Sequence, residues 1–369
     1  MIKMKPVVFT PLDTVDGIRN ALQQAIMLEH STIPPYLYSL YSIRGGLNTS
    51  IQRIIASVVM EEMLHMALAC NILNAIGGAP NIDQPGFIPS YPGPLPGAVE
   101  SSLIVSLAPF SLYHLKQVFM EIEEPENLLD FPGGTAPPSD APPAPAPGLG
   151  PQYTIGDFYT RIMETINKAG ASIFTGDPAR QVTYEYWPDL KAIGTCDDAI
   201  EAIKVIIDQG EGTSTSPLEQ ENTPQPQRKD DLAHYYRFAE IYYGKTLVPV
   251  PNPPPNTPPN QLYVYAGPPI PFDPAGVYPS VTNPKVSQYP AGSKARYGCE
   301  TFNYTYTVLL KSLHSTFNGQ PDQLYTAIGL MESLKDQVKD LMATDQGNGT
   351  TAGPSFEYSP TNPPANGPA

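Results

Sequence analysis

Acidic residues and histidines recur at metal-ligand spacing within otherwise apolar stretches of this 369-residue sequence. In one stretch Val58, Glu62, His65 and Ala69 follow one another at steps of four, three and four, which places them on one face of a helix. A buried charge is costly unless it is paired or bound to a cation, so this pattern predicts a metal site. The six residues expected to bind the metal are Glu29, Glu62, His65, Glu211, Asp231 and His234.

Helical periodicity predicts the elements that position the first three of these residues. We expect one helix over 14–42 and a second from Ser50 to about residue 76, joined by a tight turn. At about 1.5 Å per residue, Glu29 lies roughly 21 Å before that turn and Glu62 roughly 18 Å after it. An antiparallel hairpin therefore brings Glu29 to the level of Glu62 and His65.

The other three residues flank a single loop. Glu211 ends a third predicted helix over about 198–211, whereas Asp231 and His234 begin a fourth over about 230–244, so these side chains can also meet. Helical bundles that hold two metal ions between carboxylates use this order of acids and histidines. Carboxylates with one imidazole per metal suit iron, with manganese as the alternative, and leave positions open for dioxygen. We therefore expect two iron ions as cofactors.

Some residues near this set have two interpretations. Glu61 is also one turn from His65 and could replace Glu62, although it lies about 100° away around the helix. Tyr36 shares a face with Glu29, and Tyr235 follows His234 directly. Each tyrosine is a candidate catalytic phenol or hydrogen-bond donor beside the metals, and the alternative for each is a core aromatic.

The composition excludes several classes of partner. The net charge of −15 repels nucleic-acid phosphates and anionic lipid, so we expect neither partner. We expect no apolar stretch to span a bilayer, and the N-terminal residues lack the apolar run of a signal peptide. The three cysteines are far apart and odd in number, which favours reduced thiols over a disulfide framework. These features predict a cytoplasmic protein.

The predicted fold class is all-α, a four-helix bundle with long proline-rich crossover loops and extra C-terminal helices. The 45 prolines concentrate in such connections, including an exposed loop over 132–151. We divide the chain into a metal-binding bundle over 1–248, a proline-rich connection with a helical hairpin over 249–359, and a disordered tail over 360–369. The two helices of the hairpin are expected near 302–317 and 321–343.

Several segments resemble the ferritin-like proteins that are named for iminophenyl-pyruvate dimer synthase. The resemblance covers about residues 14 to 358 and rests on the segments 28–43, 59–69, 154–159, 209–213 and 231–238. It implies a ferritin-like fold. It also implies a reaction that couples two imines of aromatic amino acids on the way to bis-indole pigments and indolocarbazoles. The chain departs from the pattern at Asp231, where that family has Glu.

These features favour a non-haem di-iron oxidase or oxygenase that takes dioxygen and a small substrate derived from an amino acid. Coupling of aromatic imino acids is the reaction that the resemblance implies. One alternative is iron handling, as a ferroxidase or storage protein without an organic substrate. Another is a structural bundle that its metals only stabilise. The sequence does not decide between a monomer and a homodimer.

Overall fold

The computed structural model describes residues 12–96, 103–135, 137, 155–219 and 231–365. Its centre is a hairpin of two long helices, α1 (Val15–Ser42) and α2 (Thr49–Ala75). Arg19, near the start of α1, donates hydrogen bonds of 3.0 and 2.7 Å to the carbonyl oxygen of Ile76, just past the end of α2, so the helices are antiparallel. The predicted hairpin and its turn are therefore confirmed.

Further helices complete a bundle around this hairpin. They are α5 (Ile155–Ala169), α6 (Cys196–Glu211) and α7 (His234–Tyr243). All three pack against α1 or α2 through apolar faces. The third predicted helix thus begins two residues earlier than expected, and the fourth begins at His234, after Asp231 rather than before it.

A short helical passage before α5 changes its hydrogen-bond pattern within three turns. It consists of α3 (Leu112–His114), a π-helical turn over Leu115–Phe119 and α4 (Met120–Ile122). The wider π turn rotates the residues that follow it relative to an α-helix, and such turns are frequent at functional sites. Glu123 directly follows α4.

The C-terminal part packs a second helical hairpin against the first. α8 (Lys294–Phe317) and α9 (Gln323–Met342) form it, and α8 begins about eight residues earlier than the sequence predicts. The proline-rich connection also contains an antiparallel pair of strands, β1 (Lys245–Pro249) and β2 (Tyr263–Pro269), which the sequence analysis missed. The all-α class is confirmed, since this small ribbon is the sole sheet among the described residues.

Parts of the predicted domain organisation stay predictions. β1 spans the boundary that we drew at residue 248. Most of the predicted loop over 132–151 and the last four residues of the predicted tail, 366–369, lie outside the described residues.

Contrary to our expectation, α2 is long and apolar enough to cross a membrane. Its most apolar window is however 72% buried inside the structure. α2 is the central helix of the bundle, and contacts on several sides account for its apolar composition.

Asn71 ties the central helix to the loop between α5 and α6. Its side-chain amide donates hydrogen bonds of 2.7 and 2.9 Å to the carbonyl oxygens of Val182 and Lys191, and its oxygen accepts one of 3.0 Å from the Val182 amide. The side chain is fully buried, so no water can replace these bonds.

We expect Asn71→Ala to lower the free energy of unfolding by roughly 3 kcal/mol, because three backbone groups, two of them buried, lose their partner. Urea unfolding checks this value. Asn20→Ala, at an exposed position of α1, is the matched control and should leave the stability nearly unchanged. Equal effects of the two variants would contradict the role assigned to Asn71.

Candidate metal centre

Three of the predicted residues meet where α1 faces α2. One ligand atom each of Glu29, Glu62 and His65 lies within 4.8 Å of the others, and all three residues are buried. The Nδ1 atom of His65 is 3.6 Å from Oε2 of Glu29. Glu29 therefore lies beside Glu62 and His65, as the rise of about 1.5 Å per residue predicts.

A second group of three lies directly beside the first and shares one of its members. Glu62, Glu123 and His234 bring their ligand atoms within 4.8 Å of one another. Nδ1 of His234 is 3.0 Å from Oε1 of Glu62 and 3.4 Å from Oε2 of Glu123. Glu62 belongs to both groups, so the two groups share one carboxylate.

These side chains satisfy the requirements of a cation site. Nδ1 of His234 makes no well-aligned hydrogen bond to either of the two carboxylates that face it. Burial, together with the nearby Glu123, raises the pKa of Glu62 to about 7. A cation between these groups would accept the free lone pairs and offset the repulsion between carboxylates. Carboxylate oxygens with imidazoles suit iron or manganese.

A buried charge network holds the far side of the His234 ring. Nε2 of His234 is 3.0 Å from Oε2 of Glu61, and the Arg237 guanidinium is 3.0 Å from the same oxygen. Arg237 also pairs with the carboxylate of Glu219. Burial alone would raise the pKa of Glu61, but Arg237 and His234 lower it to about 2. Glu61 therefore orients a histidine, and it does not replace Glu62 in either group.

Uncharged hydrogen-bond partners hold the other candidate ligands in place. The Tyr36 hydroxyl donates to Glu123, and the Tyr159 hydroxyl donates to Oε1 of Glu29 at 2.5 Å. Nε2 of His65 lies 2.9 Å from the side-chain oxygen of Gln209. Since an amide oxygen only accepts, Nε2 of His65 donates to Gln209, and Nδ1 faces Glu29.

The structure brings together Glu29, Glu62, His65 and His234 but not Asp231. Asp231 is exposed and precedes α7, and Ala233 at the helix start has extended backbone angles (φ −59°, ψ 156°). The three-residue spacing between Asp231 and His234 therefore does not place them on a shared helical face. Glu123 takes the place that we assigned to an acid at residue 231.

Two further predicted residues have different outcomes. The Glu211 side chain lies outside what the structure describes, so its role stays a prediction. Tyr235 packs its ring edge-on against Tyr236, with 5.3 Å between ring centroids, and its described contacts do not include the two ligand groups. The core-aromatic interpretation therefore suits Tyr235 better, whereas Tyr36 contacts a candidate ligand.

Sequence reasoning missed Glu123, Tyr159 and Gln209. Glu123 gave no regular signal, because it lies just past α4, after the π-helical turn over Leu115–Phe119. Tyr159 and Gln209 lie in segments that carried the resemblance, but a single polar atom on an apolar helix face gave no reason to select them.

A small cavity opens beside the first group. Its walls include Glu29, Glu62, Glu123 and Tyr159, with apolar side chains of α5 and α6 around them. The space open to the centres of water-sized molecules is about 30 Å³. A water needs about 10–15 Å³ of such space, so the cavity holds roughly two waters. The arrangement can therefore admit a very small ligand beside the candidate ions.

Comparisons with known proteins agree with this architecture. The family model described as Ferritin-like matches residues 22–243, a span that contains both ligand groups. The fold is similar to the crystal structure of a ferritin like protein from Caulobacter vibrioides, with a TM-score of 0.58 and 23% sequence identity over 96% of this chain and 100% of that chain. This likeness shows the fold alone. Among curated proteins, no sequence matches this chain.

We expect Arg237→Met to lower the free energy of unfolding of the metal-free protein by about 3 kcal/mol. The substitution leaves the carboxylates of Glu61 and Glu219 buried without their guanidinium partner. Urea unfolding in the presence of a chelator measures the change. Arg53→Met, at an exposed position of α2, should have almost no effect, and a comparable loss in that variant would argue against the buried network.

Proposed function

Because the chain belongs to the ferritin-like family, we propose that it binds two iron ions and uses them with dioxygen to oxidise a small molecule. The observation that carries this proposal is the position of Glu62 in two adjacent, buried groups of three ligands. One ion would be held by Glu29, Glu62 and His65, and the other by Glu62, Glu123 and His234. Manganese is the alternative metal, since it accepts the same donors.

When bound, two ferrous ions supply electrons for the reduction of dioxygen, and the protein's residues set the conditions for that chemistry. Glu61 and Arg237 hold the His234 ring so that Nδ1 faces Glu62 and Glu123. Burial, followed by the charge of a neighbouring carboxylate, raises the pKa of Tyr36 and of Tyr159 well above the usual value. Both phenols therefore stay protonated and keep donating to the carboxylates.

The surrounding side chains also exclude bulk water. The five candidate ligands are at most 7% exposed. The cavity beside them has room for dioxygen or water in the conformation described here. An organic substrate would need the walls of this cavity to open.

The small cavity supports a second candidate, a ferroxidase that oxidises iron without an organic substrate. Ferrous ions and dioxygen are both small enough for the available space. The two candidates share the metal centre and differ in whether an organic molecule accelerates oxygen consumption.

The substrate class is the finer part of the proposal. The resemblance to the iminophenyl-pyruvate dimer synthase family makes imines of aromatic amino acids the first compounds to test. We also propose a cytoplasmic site of action, which suits the three free cysteines. We also propose a homodimer, which a measurement of the protein's molar mass in solution can test.

Metal stoichiometry tests the ligand assignment. We expect about two irons per chain in the wild-type protein and about one in Glu123→Ala, which loses one group of three ligands. Glu62→Ala should bind almost none, because both groups lose a member. Metal analysis after anaerobic loading and desalting measures these values.

Asp231→Ala is the control that decides whether Asp231, as the sequence predicts, or Glu123, as the structure indicates, binds the metal. It should bind about as much iron as the wild type, because Asp231 is exposed and outside both groups. Loss of one iron in Asp231→Ala, with full binding in Glu123→Ala, would contradict the assignment of Glu123.

Oxygen consumption tests the reaction. Ferrous protein should consume dioxygen several-fold faster when an aromatic imino acid is present, and Glu62→Ala should show no such increase. An oxygen electrode records both rates, with the imino acid formed in the assay from its α-keto acid and excess ammonium, because a free imine hydrolyses in water. Consumption that depends on added ferrous iron alone would favour the ferroxidase, and no consumption at all would contradict both.

A further inference from the structure

A second cavity lies on the opposite side of the α1–α2 hairpin from the metal centre. On each of these two helices, consecutive residues line different sites. Glu29 belongs to a ligand group whereas His30 lines the cavity, and Glu62 belongs to both ligand groups whereas Met63 lines the cavity. Side chains of α8 and α9 close its other side. We call it the apolar cavity.

The apolar cavity has a volume of about 90 Å³ to the centres of water-sized molecules. Protein interiors are packed as densely as organic crystals, and voids larger than a water molecule are few. A void of this size in the contact between two helical hairpins lowers stability unless something fills it. Water is a poor occupant, because it needs two to four polar partners and the walls are almost entirely apolar.

The walls indicate the chemistry of a suitable occupant. The described lining residues include no Asp, Glu, Lys or Arg, which disfavours a charged ligand. Aromatic rings of Trp187, Tyr41 and Phe317 contribute to the walls, together with three methionines. Methionine makes favourable contacts with aromatic rings and adapts its shape to a ligand. The methionines are Met63, Met66 and Met331.

One polar pair interrupts this surface. The Tyr306 hydroxyl and Nε2 of His30 are 2.7 Å apart, so these two atoms satisfy each other. The pair accordingly offers little attraction for an ion. Half-buried side chains at Leu37, Tyr41 and Leu313 form part of the walls and leave a route from the surface.

We propose that the apolar cavity is a binding site for a neutral, single-ring aromatic molecule, separate from the metal centre. An engineered apolar cavity of roughly 150 Å³ in another protein binds benzene, which sets the scale. The cavity described here is smaller, and the methionine side chains provide the adjustment that a single ring needs. The proposal is independent of the metal and of the oxidation reaction.

The chain's single tryptophan provides a direct test, because Trp187 lines the apolar cavity. Bromobenzene is a suitable probe, since its heavy atom quenches tryptophan fluorescence on contact. We expect saturable quenching of the metal-free full-length protein, in addition to the linear component that collisions with free probe produce. Strictly linear quenching would overturn the proposal.

Two substitutions that occupy space should remove the saturable component. Ala67→Leu fills the cavity from α2, and Leu313→Phe narrows it from α8. Ala56→Leu makes the same chemical change as the first variant on the same helix but outside the cavity, and it should keep the quenching curve of the wild type.

Thermal unfolding with and without the probe gives an independent measure. Bromobenzene should raise the melting temperature of the wild type and of Ala56→Leu but not of Ala67→Leu or Leu313→Phe, because a ligand that binds the folded state stabilises it. Saturable quenching that persists unchanged in both space-filling variants would place the probe elsewhere and overturn the proposal. Metal content does not enter either measurement, so the outcome is separate from that of the proposed oxidase.

Discussion

The constraint on which this structure depends is the burial of several carboxylates in the dry centre of a helical bundle. Glu29, Glu62 and Glu123 are each at most 7% exposed and lie beside two buried histidines. Mutual repulsion and the loss of hydration would make this cluster strongly unfavourable without compensation. Phenol and threonine hydroxyls that donate to the carboxylates provide part of it. A pair of cations would provide the rest.

This constraint explains why further charged residues surround the candidate ligands without belonging to either group. The Glu61–Arg237–Glu219 network is almost entirely buried, and Arg237 lies between its two carboxylates and offsets part of their charge. Glu61 in turn holds the ring of His234. His65 has a neutral partner in Gln209 instead. The two histidines are therefore oriented by different means, one by a carboxylate and one by an amide. A carboxylate partner makes an imidazole a stronger donor to a metal, so the two candidate ions would differ in their surroundings.

The α1–α2 hairpin divides the molecule into two environments. One face carries the ligand groups, and the other packs against α8 and α9 around apolar side chains. Because adjacent residues such as Glu29 and His30 line different sites, a displacement of either helix would affect both sites. This shared pair of helices explains why the C-terminal hairpin belongs to the same compact unit as the bundle, although the proline-rich connection separates them in sequence.

The sequence by itself determined the helical fold class, the hairpin and the meeting of Glu29 with Glu62 and His65, because helical periodicity and rise fix which residues share a face and a level. It could not determine partners that come from helix ends. Asp231 lies before the start of α7, and Glu123 follows a π-helical turn, so neither position obeys the regular spacing. The contact between Glu61 and His234 likewise joins segments far apart in the chain. Only tertiary packing decides such contacts, since local periodicity carries no information about which distant element occupies the facing position.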